Sequence, residues 1–194
     1  MKTAIIVAIV LAASVAIALT GYAYRTLRIE SDQVNAAWSL LAERYRQRAQ
    51  VAQQSLKILR TYAPYELEVI RSLQSALGWL NRNPPTMELL VEPKRFAAFE
   101  ATQAELSKAL TRLRDVVDSE EKLNSHLVMA RLMRDLEDID RKMRLNRAAY
   151  LKAVREYNET VGRLPLLARV WRFEARPELV IQEEAVPKKL PLSE

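Results

Sequence analysis

The chain has 194 residues, 49% of them hydrophobic and 28% charged, with three Gly, one His, no Cys and a net charge of +6. No disulfide framework, thiolate metal site or Cys nucleophile can be built from it, and three scattered glycines, Gly21, Gly78 and Gly162, cannot form a phosphate-cradling GxGxxG or GxxxxGK loop. The basic balance leaves anionic lipid, nucleic acid or an acidic partner as candidate attractions, because net charge governs association and not fold.

Residues 3–24 carry no formally charged side chain, and 4–19 is almost wholly Ala, Ile, Val and Leu. At about 1.5 Å per residue the run makes roughly 33 Å of helix, enough for a hydrocarbon core of about 30 Å. It is read as a transmembrane anchor. A cleaved secretory signal is the competing reading, because Lys2 precedes the run and Ala16-Ile17-Ala18 has the small-residue pattern of a cleavage site. The length of the run and the aromatic pair Tyr22 and Tyr24, suited to a membrane interface, favour the anchor. Lys2 and the amino terminus on one side nearly balance Arg25 and Arg28 on the other, so the positive-inside count does not fix the orientation.

After the span, Leu27, Val34, Trp38, Leu41, Tyr45, Ala52, Leu59 and Tyr62 recur in steps of three, four or seven, which predicts one amphipathic helix continuous with the anchor. Pro64 stops it. A second helix is expected over 65–80, with Leu67, Ile70, Leu73 and Leu77 inward, before the breaker Asn81-Arg82-Asn83-Pro84-Pro85. A third takes Phe96, Phe99, Leu106, Leu110, Leu113 and Val117 and ends near Ser119, which is expected to cap the next helix. The fourth runs from Leu123 through Leu136, Met143, Tyr150 and Tyr157 to Val161, and Gly162 and Pro165 end it. No segment alternates as a strand would. The predicted architecture is all-α: an anchor over 3–24, an elongated antiparallel bundle of about four helices over 25–173, and a loosely ordered tail over 174–194 that carries three prolines and whose 178–181 stretch could dock on the bundle or on a partner.

An alternating topology returns the fourth helix toward the bilayer. There Leu164-Pro165-Leu166-Leu167-Ala168-Arg169-Val170-Trp171-Arg172-Phe173 mixes aliphatics, aromatics and arginines, as membrane interfaces do. Residues 141–174 carry nine Lys and Arg against three acids and 25–62 seven against three, whereas 63–140 carry ten against fourteen. Tyr22, Tyr24, Arg25, Arg28, Arg169, Trp171, Arg172 and Phe173 are therefore the candidate membrane-interface set. Packing of the last segment onto the open end of the bundle is the competing reading.

Ala37-Trp38-Ser39, Arg46 and Arg48, Tyr62-Ala63 and Glu66, Tyr150 with Ala153-Val154-Arg155-Glu156-Tyr157-Asn158, and Leu164-Pro165 with Leu167-Ala168 together resemble the LemA family in order and separation. The resemblance implies a bacterial protein with one N-terminal span and a long-helix bundle, without an assigned enzymatic activity. One branch of relatives works in magnetosome membrane biogenesis. It also marks Trp38, Tyr62, Glu66, Tyr150, Tyr157, Asn158 and Pro165 as structural positions. Three positions depart from the family pattern: Gln53-Gln54 in place of a Pro-Asn pair, Leu151 in place of Asn, and Leu164 in place of an aromatic.

No catalytic constellation emerges. His126 lacks the companions of a Glu-x-x-His pair. Glu137, Asp138 and Asp140 could at best make a weak oxygen-ligand metal site, but 137 and 138 point to different helix faces, and a solvated charge run is the favoured reading. Ser107 and Lys108 diverge in the same way, so they form no nucleophile and base. Tyr150, Tyr157 and Asn158 could form a polar seam that specifies helix register, but burial with satisfied hydroxyls is the favoured reading. Nucleic acid is disfavoured, since arginines alternate with acids and no helix-turn-helix or aromatic platform is present. The expectation is a protein without catalysis, cofactor or metal at the bacterial inner membrane. Its partners would be the lipid bilayer, other proteins or further copies of itself, with an adaptor of a membrane enzyme such as a peptidase as the alternative to a scaffold.

Overall fold

A computed structural model describes residues 2–179; among them there are helices and turns but no strand. Helix α1, Lys2–Tyr62, is a single run of 61 residues. It has two halves of opposite character. From Ile9 to Tyr22 every side chain is exposed, whereas from Ala23 onward Leu27, Val34, Trp38, Leu41, Tyr45, Ala52 and Leu59 are buried at the predicted spacing. No proline interrupts the hydrogen-bond ladder before Pro64, so the apolar spike and the bundle share one helix.

Helix α2, Leu67–Arg82, turns back along α1 and buries Val69, Ile70, Leu73, Ala76, Leu77 and Leu80. The Pro84-Pro85 breaker leads into a 3-10 turn, Met87–Val91, whose Leu89 and Leu90 are buried. Helix α3, Pro93–Ser119, begins with proline at its first position, where the missing N–H has no partner to lose. A single turn, α4, Glu121–Asn124, precedes α5, Leu127–Arg163, which returns antiparallel to α1. A short α6, Pro165–Val170, closes the helical part.

Two sequence expectations are corrected at the turn before α5. The fourth helix does not run unbroken from Leu123: the chain bends at Ser125, and Nδ1 of His126 accepts from the Met129 N–H at 3.2 Å. Ser119 does not cap the next helix, because its hydroxyl donates back to the Val116 carbonyl within α3. His126 supplies the acceptor that the first turn of α5 needs. The second helix likewise begins at Leu67 instead of 65, since Ala63 to Glu66 form the turn.

The bundle has four helices only in its distal part. Sixteen residues of α2 span about 24 Å, so α2 ends beside the middle of α1, where Arg46 donates to the Pro85 carbonyl at 2.9 Å. Below that level α1 and α5 continue as a pair, with Leu27 and Val34 on one and Val154 and Tyr157 on the other buried. Residues 174–179 take the place of the missing helices there. This stretch lies in extended form along α5, so the tail boundary expected at 174 falls within the packed structure; the remainder of the expected tail, 180–194, lies outside the described residues.

Candidate functional site

The lower end of the α1–α5 pair gathers most of the residues expected at a membrane interface. Tyr24 stands where the exposed spike meets the buried stripe. The Trp171 ring meets it edge-on with centroids 5.1 Å apart, and the Phe173 ring lies 6.0 Å away. Trp171 and Phe173 are half-buried and join the core beneath Ala168, so they close the open end of the bundle. Tyr22, Arg25, Arg28, Arg169 and Arg172 are exposed around them. The side chains that face outward most strongly were absent from the sequence-based set: Leu166 is 80% and Val170 74% exposed. They sit four residues apart on α6 and therefore share one face. The i, i+4 spacing of Leu166 and Val170 is the signal in the sequence that marks this face.

A backbone reversal builds this foot. Arg172 has φ of 58°, the left-handed region, and the Phe173 N–H donates to the Ala168 carbonyl at 2.8 Å, as in a Schellman cap. The chain then climbs α5. The Tyr157 hydroxyl donates to the Glu174 carbonyl and the Tyr150 hydroxyl to the Pro177 carbonyl, both at 2.9 Å. Asn158 donates to the Arg176 carbonyl at 2.9 Å and accepts from the Arg176 N–H at 2.8 Å. The polar groups of Tyr150, Tyr157 and Asn158 thus hydrogen-bond to the backbone of the C-terminal segment. Burial pushes both tyrosine hydroxyls above their usual pKa of 10.0.

Higher in the bundle, Trp38 sits among Tyr45, Phe96, Phe99 and Tyr150, and its indole N–H donates to the Thr86 carbonyl at 3.0 Å. Beside this cluster a charged centre joins three helices. Arg48, 3% exposed, pairs through Nε with Asp140 at 2.9 Å and donates to the Ser107 hydroxyl at 2.9 Å; Arg114 approaches the other oxygen of Asp140 at 3.7 Å. Arg48 falls on the apolar stripe three residues after Tyr45 and four before Ala52, a signal of a buried charge that composition alone does not carry. A cleft of about 210 Å³ opens nearby, between Arg46, Gln50 and Gln53 on α1, Asn81 at the end of α2, and the Pro84-Pro85 turn.

Glu137 and Asp138 separate as expected, but the expected solvated charge run is corrected at Asp140, which faces inward because the nearly buried Arg48 needs a counter-charge. Asp138 pairs with Arg141 and Lys142, whose hydrogen bonds hold its pKa below the usual carboxylate value, while Asp140 joins Arg48 and Glu137 is exposed. No group of three or more potential ligands is close enough to hold a metal among the described residues. Ser107 and Lys108 point apart, toward Gln103 and Arg48 and toward Glu105 respectively. Of the remaining motif positions, the Tyr62 ring packs 4.8 Å from that of His126 at the far end of the bundle, Glu66 precedes α2 without a side-chain cap, and Pro165 opens α6.

The apolar part of α1 is long enough to cross a membrane, and only 6% of its most apolar window is buried by the rest of the protein, which sets it apart from the core helix of a soluble bundle. Its hydroxyls are also provided for: Ser14 donates to the Val10 carbonyl at 2.8 Å and Thr20 to the Ala16 carbonyl at 2.7 Å, within the helix itself. The LemA family model matches residues 37–191. Compared with curated proteins, the sequence finds no match.

Proposed function

The chain belongs to the LemA family, and on that premise we propose that it is a single-pass scaffold of the bacterial inner membrane, a rigid post that holds an interaction surface at a fixed height above the bilayer. The observation that carries this reading is the unbroken α1. A helix that leaves the bilayer near Tyr24 and enters the bundle without a hinge transmits the orientation of the span to everything built on it. Thirty-eight further residues to Tyr62 correspond to about 57 Å.

The foot supports the same reading. Trp171 and Phe173 clamp Tyr24, while Leu166 and Val170 project from α6 beside exposed Arg169 and Arg172. Exposed aliphatics with neighbouring arginines suit a helix lying in the headgroup layer, where the guanidinium groups meet phosphates. The membrane contact is thus assigned to Leu166 and Val170, and the two aromatics are assigned to packing. Catalysis has no part in this proposal, because no three His, Asp or Glu side chains among the described residues gather into a site that could hold a metal.

Spin labels at positions 166, 170 and 145 of the full chain in lipid nanodiscs test it. Labels at 166 and 170 are expected to relax with lipid-soluble oxygen, and the label at 145 only with a water-soluble nickel chelate. Equal response of all three labels to the nickel chelate would refute the seated foot.

A further inference from the structure

The end of the bundle farthest from the span carries a second unusual surface. The turn between α1 and α2 and the start of α5 meet there, because the Tyr62 and His126 rings are in contact and α1 packs against α4. Five large apolar side chains face outward at this tip: Tyr62, Tyr65, Leu67, Leu127 and Val128, with Leu127 85% exposed. A helix start has no intrinsic need for two apolar residues turned to solvent, and a contiguous apolar patch with a polar rim marks an interaction site.

The rim is acidic on a chain that is basic overall. Residues 60–68 and 115–128 hold Glu66, Glu68, Asp115, Asp118, Glu120 and Glu121 against Arg60 and Lys122; Glu68 is paired with Arg112 of α3, and the five other acids still outnumber the two bases. This sign selects the occupant. Anionic headgroups repel the rim, so the patch is not a second lipid contact. Two copies meeting tip to tip would oppose like charges. What complements the surface is a segment with apolar residues to cover the five side chains and Lys or Arg to meet the rim.

We propose that the tip docks a protein partner through a basic, apolar segment of that partner. The tip's placement away from the bilayer rests on the anchored reading above; the patch and its charge do not. The test places a photo-crosslinking amino acid at Tyr65 or Leu127 of the full chain in its native membrane, with Leu145, exposed elsewhere on α5, as the control position. The expected result is a discrete protein adduct from both tip positions and none from Leu145. The adduct is expected to fall at least ten-fold in the Glu120→Lys/Glu121→Lys variant, and the crosslinked peptide of the partner is expected to carry an excess of Lys and Arg over acids.

Absence of an adduct, an adduct indifferent to charge reversal, or a crosslink to lipid, to a second copy or to Lys188-Lys189-Leu190 of the same chain would overturn the proposal. Circular dichroism of the charge-reversed protein separates lost docking from lost folding. The same fractions report membrane retention: lost crosslinking with the protein still in the membrane counts against the docking surface alone, whereas recovery of the protein in the soluble fraction counts against the anchor.

Discussion

Arg48 shows how a single residue ties this bundle together. Its guanidinium is almost wholly buried and answers to α5 through Asp140 and to α3 through Ser107. Removing one member of a buried ion pair leaves the other charge in a poor environment, whereas replacing both with apolar residues does not. Arg48→Met is therefore expected to cost about 3 kcal/mol in chemical denaturation, and Arg48→Met/Asp140→Leu is expected to recover most of that loss. The buried tyrosines give a pH signature. Burial raises the pKa of Tyr45, Tyr150 and Tyr157 above 10.0, so above about pH 10 the folded protein binds more protons than the unfolded chain. Their contribution is complete below that pH and is lost as pH rises past it. The thermal midpoint is expected to fall above pH 10, less steeply in Tyr150→Phe.

At the scale of elements, the periodicity of apolar residues carried α1, α2, α3 and most of α5 into view from the sequence, because each helix buries one stripe and exposes the other. Its failures were local and have local causes. The bend before α5 depends on a histidine acting as a helix cap, a role in which Asp, Asn, Ser and Thr are the expected residues. Docking of the tail was left open by the sequence, and only for 178–181, because the hydrogen bonds that hold 174–179 use its backbone, which sequence composition does not report. The candidate site was legible as a cluster of aromatics and arginines, but not in the division between Trp171 and Phe173, which pack, and Leu166 and Val170, which project. The reversal at Arg172 offers a check on this element. A non-glycine residue in the left-handed region is strained by about 1 kcal/mol, so Arg172→Gly is expected to raise the stability of the detergent-solubilised protein by up to that amount. A destabilised Arg172→Gly would place the residue outside the cap geometry.

For the whole molecule, the uneven charge takes on a direction. The basic segments bracket the foot and the sides of the α1–α5 pair, and much of the acidic middle gathers at the opposite tip. A post with a basic foot and an acidic head stays upright over an anionic bilayer, since tilting brings repelling groups toward the headgroups. This polarity, together with a single helix running from span to tip, is why the protein is read as an oriented scaffold. Everything in that reading depends on the span being retained. The most direct measurement is the intact mass of the protein in cell membranes washed with alkaline carbonate. Retention of the span predicts the full-length mass of 22.3 kDa in the washed membranes. A shorter protein in the soluble fraction, beginning near Leu19 after cleavage at Ala16-Ile17-Ala18, would contradict it.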